Sequence, residues 1–299
     1  MGRILVGTTS WTEKTLLDSG LFYPKEARTA EARLRYYAEQ FPVVEVDSSY
    51  YGLPSERNSI LWAKRTPAGF VFDVKAFRIF TLHQTPQEAL PAEVRERLGR
   101  IDKKNVYYDD LPPEARDDLW ERFRSALDPL RQERKLGAVV FQFPPWVMSR
   151  RSNHDHVLEC ARRLPGDAIA VEFRNRTWFD ERGASRTLAF EREHGLANVI
   201  VDEPQGFSSS IPAVWEATLP DLAVVRLHGR NRETWEKKGL QTAAERFDYR
   251  YSSAELEALA PPIVELARKT GTVHVLFNNC YRDHAQANAA ELAAMLAPS

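Results

Sequence analysis

Charged and hydrogen-bonding residues recur at every second position where short apolar runs of this chain end. Glu45 pairs with Asp47 in this way, Asp73 with Lys75, Glu172 with Arg174 and Arg226 with His228, while Gln142, Asp202 and Asn278 stand singly at the ends of other runs. Residues two apart on a strand share a face. A charge turned toward a dry helix layer costs several kcal/mol, so these side chains are expected to point together into an enclosed interior. His228 titrates near neutrality and can serve as an acid or base, with Glu45, Asp47 or Glu172 sharing that work. Lys75, Arg174, Arg226 and Arg230 suit a phosphate or carboxylate, which arginine holds bidentately. Gly229 allows close backbone approach beside them. Carboxylates gathered in one mouth equally suit glycoside cleavage. The competing account is an interior lattice of ion pairs that neutralise one another and do no chemistry.

Aromatic residues follow the same runs. Trp11, Trp146, Trp178, Trp235, Tyr50 and Tyr51 all come just after them, as expected of a rim that stacks on sugars or bases. The leading expectation is therefore a small anionic ligand, phosphorylated, sugar or nucleotide, touched by Lys75, Arg174, Arg226, Arg230, Gln142, Asn278, Trp11, Tyr50 and Trp178. Any reaction would be of hydrolase or lyase type. A nucleic-acid-binding protein or metal-dependent nuclease is the second reading, and a non-catalytic metabolite-binding barrel the third. His83, His228 and His274 are too few for a multi-metal nuclease. No cofactor is expected, although one divalent cation on Asp47 and Glu172 remains open.

The elements that must carry these residues are eight buried-type runs. They begin near residues 4, 43, 70, 138, 168, 197, 222 and 273, and most are followed by a helical pattern. Leu34, Tyr37, Ala38 and Phe41 mark one helical face, which Thr29 can cap. Asn153 is a second candidate cap. Ser252 and Glu255 have capping-box spacing. A charged helix from about Pro113 to Lys135 should break near Pro129, and the Ser- and Pro-rich stretch after Asp202 should hold no regular helix. Repeated strand–helix units without a Gly-rich first turn predict a closed α/β (β/α)8 TIM barrel rather than an open doubly wound sheet. The barrel is expected to form one domain over residues 1–299, its site lying at the C-terminal mouth. A long insertion separates strands 3 and 4, about 84–135. Its first part, about 84–112, is expected to act as a mobile lid.

Composition sets the outer bounds. The chain has 299 residues, 43% hydrophobic and 28% charged, with a formal net charge of −1. That balance offers no long-range pull toward nucleic acid or anionic membrane. No run of ~20 apolar residues is present to span a membrane. The first apolar run starts at Ile4, so no signal peptide is expected. Cys160 and Cys280 form no framework, and a cytoplasmic location is the simplest expectation.

Several segments, taken in order, also resemble a known family: Gly7-Thr8-Thr9-Ser10-Trp11, Phe22-Tyr23-Pro24, the Glu45–Tyr51 run, Phe72–Ala76, Gln142-Phe143-Pro144-Pro145, Glu172-Phe173-Arg174 with Trp178, Arg226–Arg230 and Phe277-Asn278-Asn279. Together they resemble the YecE-like family, domain of unknown function number seventy-two, over essentially the whole chain. The resemblance implies a TIM barrel. It implies no mechanism, because the activity of that family is not established. Two features depart from the family pattern. Thr9-Ser10-Trp11 lacks the usual Gly, and no second Trp occurs within 12–21.

Overall fold

The computed structural model describes residues 1–299 apart from 100, 101, 182, 241, 298 and 299. The apolar runs become strands β1 (Arg3–Thr8), β2 (Val43–Val46), β3 (Val71–Lys75), β4 (Leu136–Phe143), β5 (Ile169–Phe173), β6 (Leu196–Asp202), β7 (Leu222–Leu227) and β8 (Thr272–Phe277). They are parallel and close into a barrel in the order β1-β8-β7-β6-β5-β4-β3-β2. Parallel strands buried on both faces explain the near-continuous apolar runs. Val44, Val46, Val171, Phe173, Val225, Leu227, Val275 and Phe277 are all buried, alternating with equally buried charged residues.

Helices pack around this wall. Thr29 accepts a hydrogen bond from the Ala32 amide and starts the helix Ala30–Gln40, and the Ser252–Glu255 capping box starts Ser253–Lys269. Asn153 is not a cap. The helix Arg151–Arg163 begins two residues earlier, and Asn153 Nδ2 donates back to the Met148 carbonyl instead. Pro129 does not break its helix, which runs from Pro113 to Gln132. A proline three residues before the end removes one amide bond of the last turn and leaves the rest of the ladder intact. No helix forms between Asp202 and Leu222.

The segment 84–112, of which 100 and 101 lie outside the described residues, is a packed wedge rather than a lid. Thr85–Pro86 pairs antiparallel with Asn105–Val106, and the helix Ala92–Leu98 follows the first of these strands. Leu90, Val94, Val106, Tyr108 and Leu111 are buried. The Tyr108 hydroxyl accepts from Trp120 Nε1 at 3.0 Å and donates to Glu159 at 2.8 Å. The wedge is thereby tied to the two helices Pro113–Gln132 and Arg151–Arg163. Apolar burial and side-chain bonds of this kind oppose the local opening that a lid requires.

Candidate functional site

The barrel interior holds charged side chains in tiers. Lowest is Asp73 on β3, which accepts from His274 Nδ1 on β8 at 2.8 Å and from the Ala138 amide at 2.8 Å. Gly137 is required here, since a Cβ would lie 2.4 Å from Asp73 Oδ1. The middle tier is Arg226 on β7, gripped by Glu45 on β2 (Nη2 to Oε1, 2.7 Å) and by Glu172 on β5 through Nη1. None of these strands is a neighbour of another in the sheet, so their side chains meet across the interior. All three are fully buried.

Glu172 saturates its own lone pairs. Oε2 accepts from Arg226, while Oε1 accepts from Gln142 at 2.7 Å, Arg174 at 3.0 Å and His228 at 3.1 Å. Burial opposes its ionisation, but Arg226, His228 and Arg174 hold its carboxyl well below the usual range. Glu45 goes the other way. Burial pushes it up to about 7 despite Arg226 and Lys75, and its Oε2 has no partner.

The upper tier centres on His228. Its Nδ1 lies 2.7 Å from Asn278 Nδ2, and Asn278 Oδ1 accepts from Thr9 Oγ1 at 2.6 Å. Asn278 therefore donates to Nδ1, and the proton sits on Nε2, donated to Glu172; the network assigns this tautomer. Burial lowers the His228 pKa to about 4 although Glu172 opposes the shift, so the ring is neutral at pH 7. Cys280 Sγ lies 3.2 Å from Thr9 Oγ1, its thiol pushed up to about 12 by burial. Arg174 Nη2 lies 2.9 Å from Glu203 Oε2, and burial raises Glu203 to about 7. Lys75 Nζ donates to Asp47 at 2.7 Å and sits 4.6 Å from the centre of the Tyr50 ring.

The long loop between β7 and the helix Ser253–Lys269 folds back over this tier. It places Trp235 6.5 Å and Phe247 6.2 Å from the His228 ring, centre to centre. Arg174 stacks on Trp235 at 5.2 Å. Two cavities remain on either side of Phe247. One, about 210 Å³, is lined by His83, Gln142, Arg174, Ser209, Trp235 and Arg246 among others. The second, about 280 Å³, is lined by Thr9, Glu13, Asp47, Ser48, Tyr51 and Asn278 among others. A depression of about 810 Å³ lies between the β5 and β6 loops, lined by Phe179, Gln205 and Phe207 among others. It touches no member of the interior network, so its size does not make it the better candidate.

Several expectations change. His228 does not face an open cavity: it is 1% exposed, both ring nitrogens are engaged, and the β7 loop covers it. Arg226 is sealed between Glu45 and Glu172 and lines neither cavity. Arg230 is clamped by Asp202 at 2.8 and 2.9 Å and by Glu255 at 3.1 Å. Asp202 itself leaves the interior set. Its carboxylate accepts from Tyr251, whose ring packs edge-on against the outward Phe277. Trp11 and Trp178 are core rather than rim. Trp11 packs edge-on against Trp62 and Phe72, and Trp178 stacks on Phe173 at 3.6 Å. Trp146 stays exposed, and Trp235 is a buried roof. A cation shared by Asp47 and Glu172 finds the lone pairs of Glu172 already taken, and no cluster of three metal-ligating side chains occurs among the described residues.

Gln142, Arg174, Asn278 and Asp47 do reach the cavities, and Lys75 and Tyr50 flank them. The sequence pattern does not mark Arg246, Phe247, Ser209, Glu13, Cys280 or Glu203 as site residues. Only Glu203 carried a signal: of two consecutive acids closing a strand, one must take the opposite face from the other.

Comparison with known proteins agrees with this architecture. The family described as "Protein of unknown function DUF72" matches residues 5–299. The UPF0759 protein YunF of Bacillus subtilis (strain 168) is 32% identical over 278 residues, 92% of this chain and 88% of that protein. A crystal structure of a DUF72 family protein from Enterococcus faecalis V583 superposes with a TM-score of 0.80 at 25% identity, covering 99% of this chain and 96% of that one. Another from Thermotoga maritima MSB8 gives 0.73 at 31% identity, covering 98% and 99%. No helix among the described residues is long and apolar enough to cross a membrane. With a family match over nearly its full length and a closed eight-stranded barrel to go with it, the chain belongs to the DUF72 family.

Proposed function

We propose that the mouth of this barrel binds a small anionic ligand, a phosphate or carboxylate compound, in the cavity beside Arg174 and Arg246. One observation carries the reading. That cavity is lined by two arginines and, among the described residues, by no carboxylate, and two N–H donors on its lining residues, Trp235 Nε1 and Arg246 Nε, are buried without a partner. A buried donor left unmade costs about 1–3 kcal/mol, and an anion can supply the missing acceptors. His83 adds a polar wall that is neutral at pH 7, its pKa lowered to about 3 by burial, with Lys75 and Arg78 contributing.

Inorganic phosphate is the probe. Bound phosphate stabilises the fold by mass action, by about 2.7 kcal/mol at a hundred times Kd, and melting should rise accordingly. Arg246→Ala should abolish the rise. Phosphate also stabilises proteins generally by exclusion from their surface. A rise that survives in Arg246→Ala is therefore that general effect and overturns the reading, as does no rise at all.

A further inference from the structure

The second cavity, across Phe247, has a different chemistry. Glu13, Asp47, Thr9, Ser48, Tyr51 and Asn278 supply hydroxyls, an amide and two carboxylates to its wall, and among the described residues no lysine or arginine lines it. Neither carboxylate is an uncommitted charge. Asp47 Oδ1 accepts from Lys75 Nζ at 2.7 Å. Glu13 Oε2 accepts from the Thr15 side chain and from the Leu16 amide at 3.2 Å, where it caps the helix Lys14–Ser19. A bare cation would find these charges partly neutralised. A hydroxyl group both donates and accepts, and matches a wall of carboxylates, hydroxyls and an amide. Tyr51, 56% exposed, adds an aromatic edge at the opening.

Phe247 lines both cavities and covers His228 at 6.2 Å. It is therefore the partition between a chamber walled by Arg174 and Arg246 and one walled by hydroxyls, an amide and two carboxylates. We infer that the ligand is a small polyhydroxylated compound carrying one phosphate or carboxylate group. Its anionic end lies against Arg174 and Arg246, its hydroxyls lie in the Glu13–Asp47 chamber, and Phe247 turns aside to admit it. This rests on the anion reading above and adds the substrate class.

The test compares inorganic phosphate with glycerol 3-phosphate, ribose 5-phosphate, glucose 6-phosphate and gluconate, each titrated calorimetrically against the full chain. At least one polyhydroxylated member should bind about tenfold or more tighter than phosphate, the gain expected from a few added neutral hydrogen bonds. Tyr51→Ala, a change at an exposed position, should reduce that gain measurably and leave phosphate affinity unchanged. Arg246→Ala should weaken phosphate and the tighter compound alike. If phosphate binds and no member of the panel exceeds it, the substrate class is wrong and the anion site stands. If a member exceeds it but Tyr51→Ala binds it unchanged, the hydroxyls do not lie in the second chamber and the inference is overturned. If neither phosphate nor any panel member binds, the anion reading and this inference fall together.

Discussion

Arg226 and Arg246 are separated by one strand end and one loop, and they live in opposite surroundings. Arg226 is fully buried between Glu45 and Glu172, in a tier that lines neither of the two cavities beside Phe247. Arg246 is half-buried, lies on a cavity wall, and among the described residues makes one long bond, 3.4 Å to the Lys237 carbonyl. Both are cations on the same barrel. The first is matched by acids from strands across the interior, so its attraction is spent on holding β2, β5 and β7 together. The second meets no acid among the described residues. Much of the charge that marked the strand ends is structural: even Arg174, on the cavity wall, is paired with Glu172 and Glu203, and Arg246 is the cavity-lining arginine that no acid among the described residues meets. Each change below breaks or sharpens that contrast.

The largest effect belongs to Arg226→Ala. It strands Glu172 and Glu45 in a dry interior, and removing one partner of a buried pair costs roughly 3–5 kcal/mol. Urea denaturation should show that loss, and a loss under about 1 kcal/mol would mean the tier is not what holds the strands. Trp178→Ala follows closely. Its ring stacks on Phe173 and its Nε1 donates to the Val147 carbonyl at 2.8 Å, so truncation should cost about 3–5 kcal/mol. Trp146→Ala, at an exposed position, should stay within about 0.5 kcal/mol. Equal losses for the two tryptophans would dissolve the distinction between core and rim.

A smaller effect is expected with pH. Glu45 keeps its proton up to about pH 7 in the fold, against an ordinary 4.5, and Glu203 behaves alike. The native state then binds more protons than the unfolded chain between these values, and stability falls as pH rises through that window. Glu172 has the opposite sign. Its carboxyl is held low, and its contribution disappears only as the medium becomes strongly acidic. His83 and His228, whose pKa values burial lowers to about 3 and about 4 from an ordinary 6.5, oppose that decline as pH rises toward 6.5, so the Glu45 contribution is read from the difference between parent and variant. Glu45→Gln should flatten the decline toward pH 8 by on the order of 2–3 kcal/mol. Melting curves from pH 4 to 8 decide it, and identical slopes for the two proteins would place the titration elsewhere.

The strands and their interior acids were legible because two-residue periodicity is a local signal. Glu45, Glu172 and Arg226 announced a shared interior by alternating with Val44, Val171 and Val225, and they do meet there. The same signal misled at Asp202. A pair of acids closes that strand, and the outward one survives because Tyr251 and Arg230 arrive from a distant loop to meet it. Trp178 followed a strand as a rim residue would, yet a short helical turn folds it onto Phe173. Arg246 and Phe247 left no periodic trace. Their place over His228 depends on how a long loop doubles back, which no spacing of residues encodes.

The smallest expected effect is the stability change in Arg246→Ala. The side chain lies on the loop roof, touches no carboxylate among the described residues, and gives up one long hydrogen bond to a backbone carbonyl. Removing it also removes the unpartnered Nε, a small gain that offsets the lost packing. In buffer without phosphate the variant should unfold within about 0.5 kcal/mol of the parent, against the several expected for Arg226→Ala. A loss of about 2 kcal/mol or more would show that the folded chain already engages Arg246 as a structural cation. The contrast between an interior cation matched by acids and a mouth cation without one would then fail at its second member. A near-zero change, with the phosphate response gone, is what distinguishes a side chain kept for a ligand from one kept for the fold.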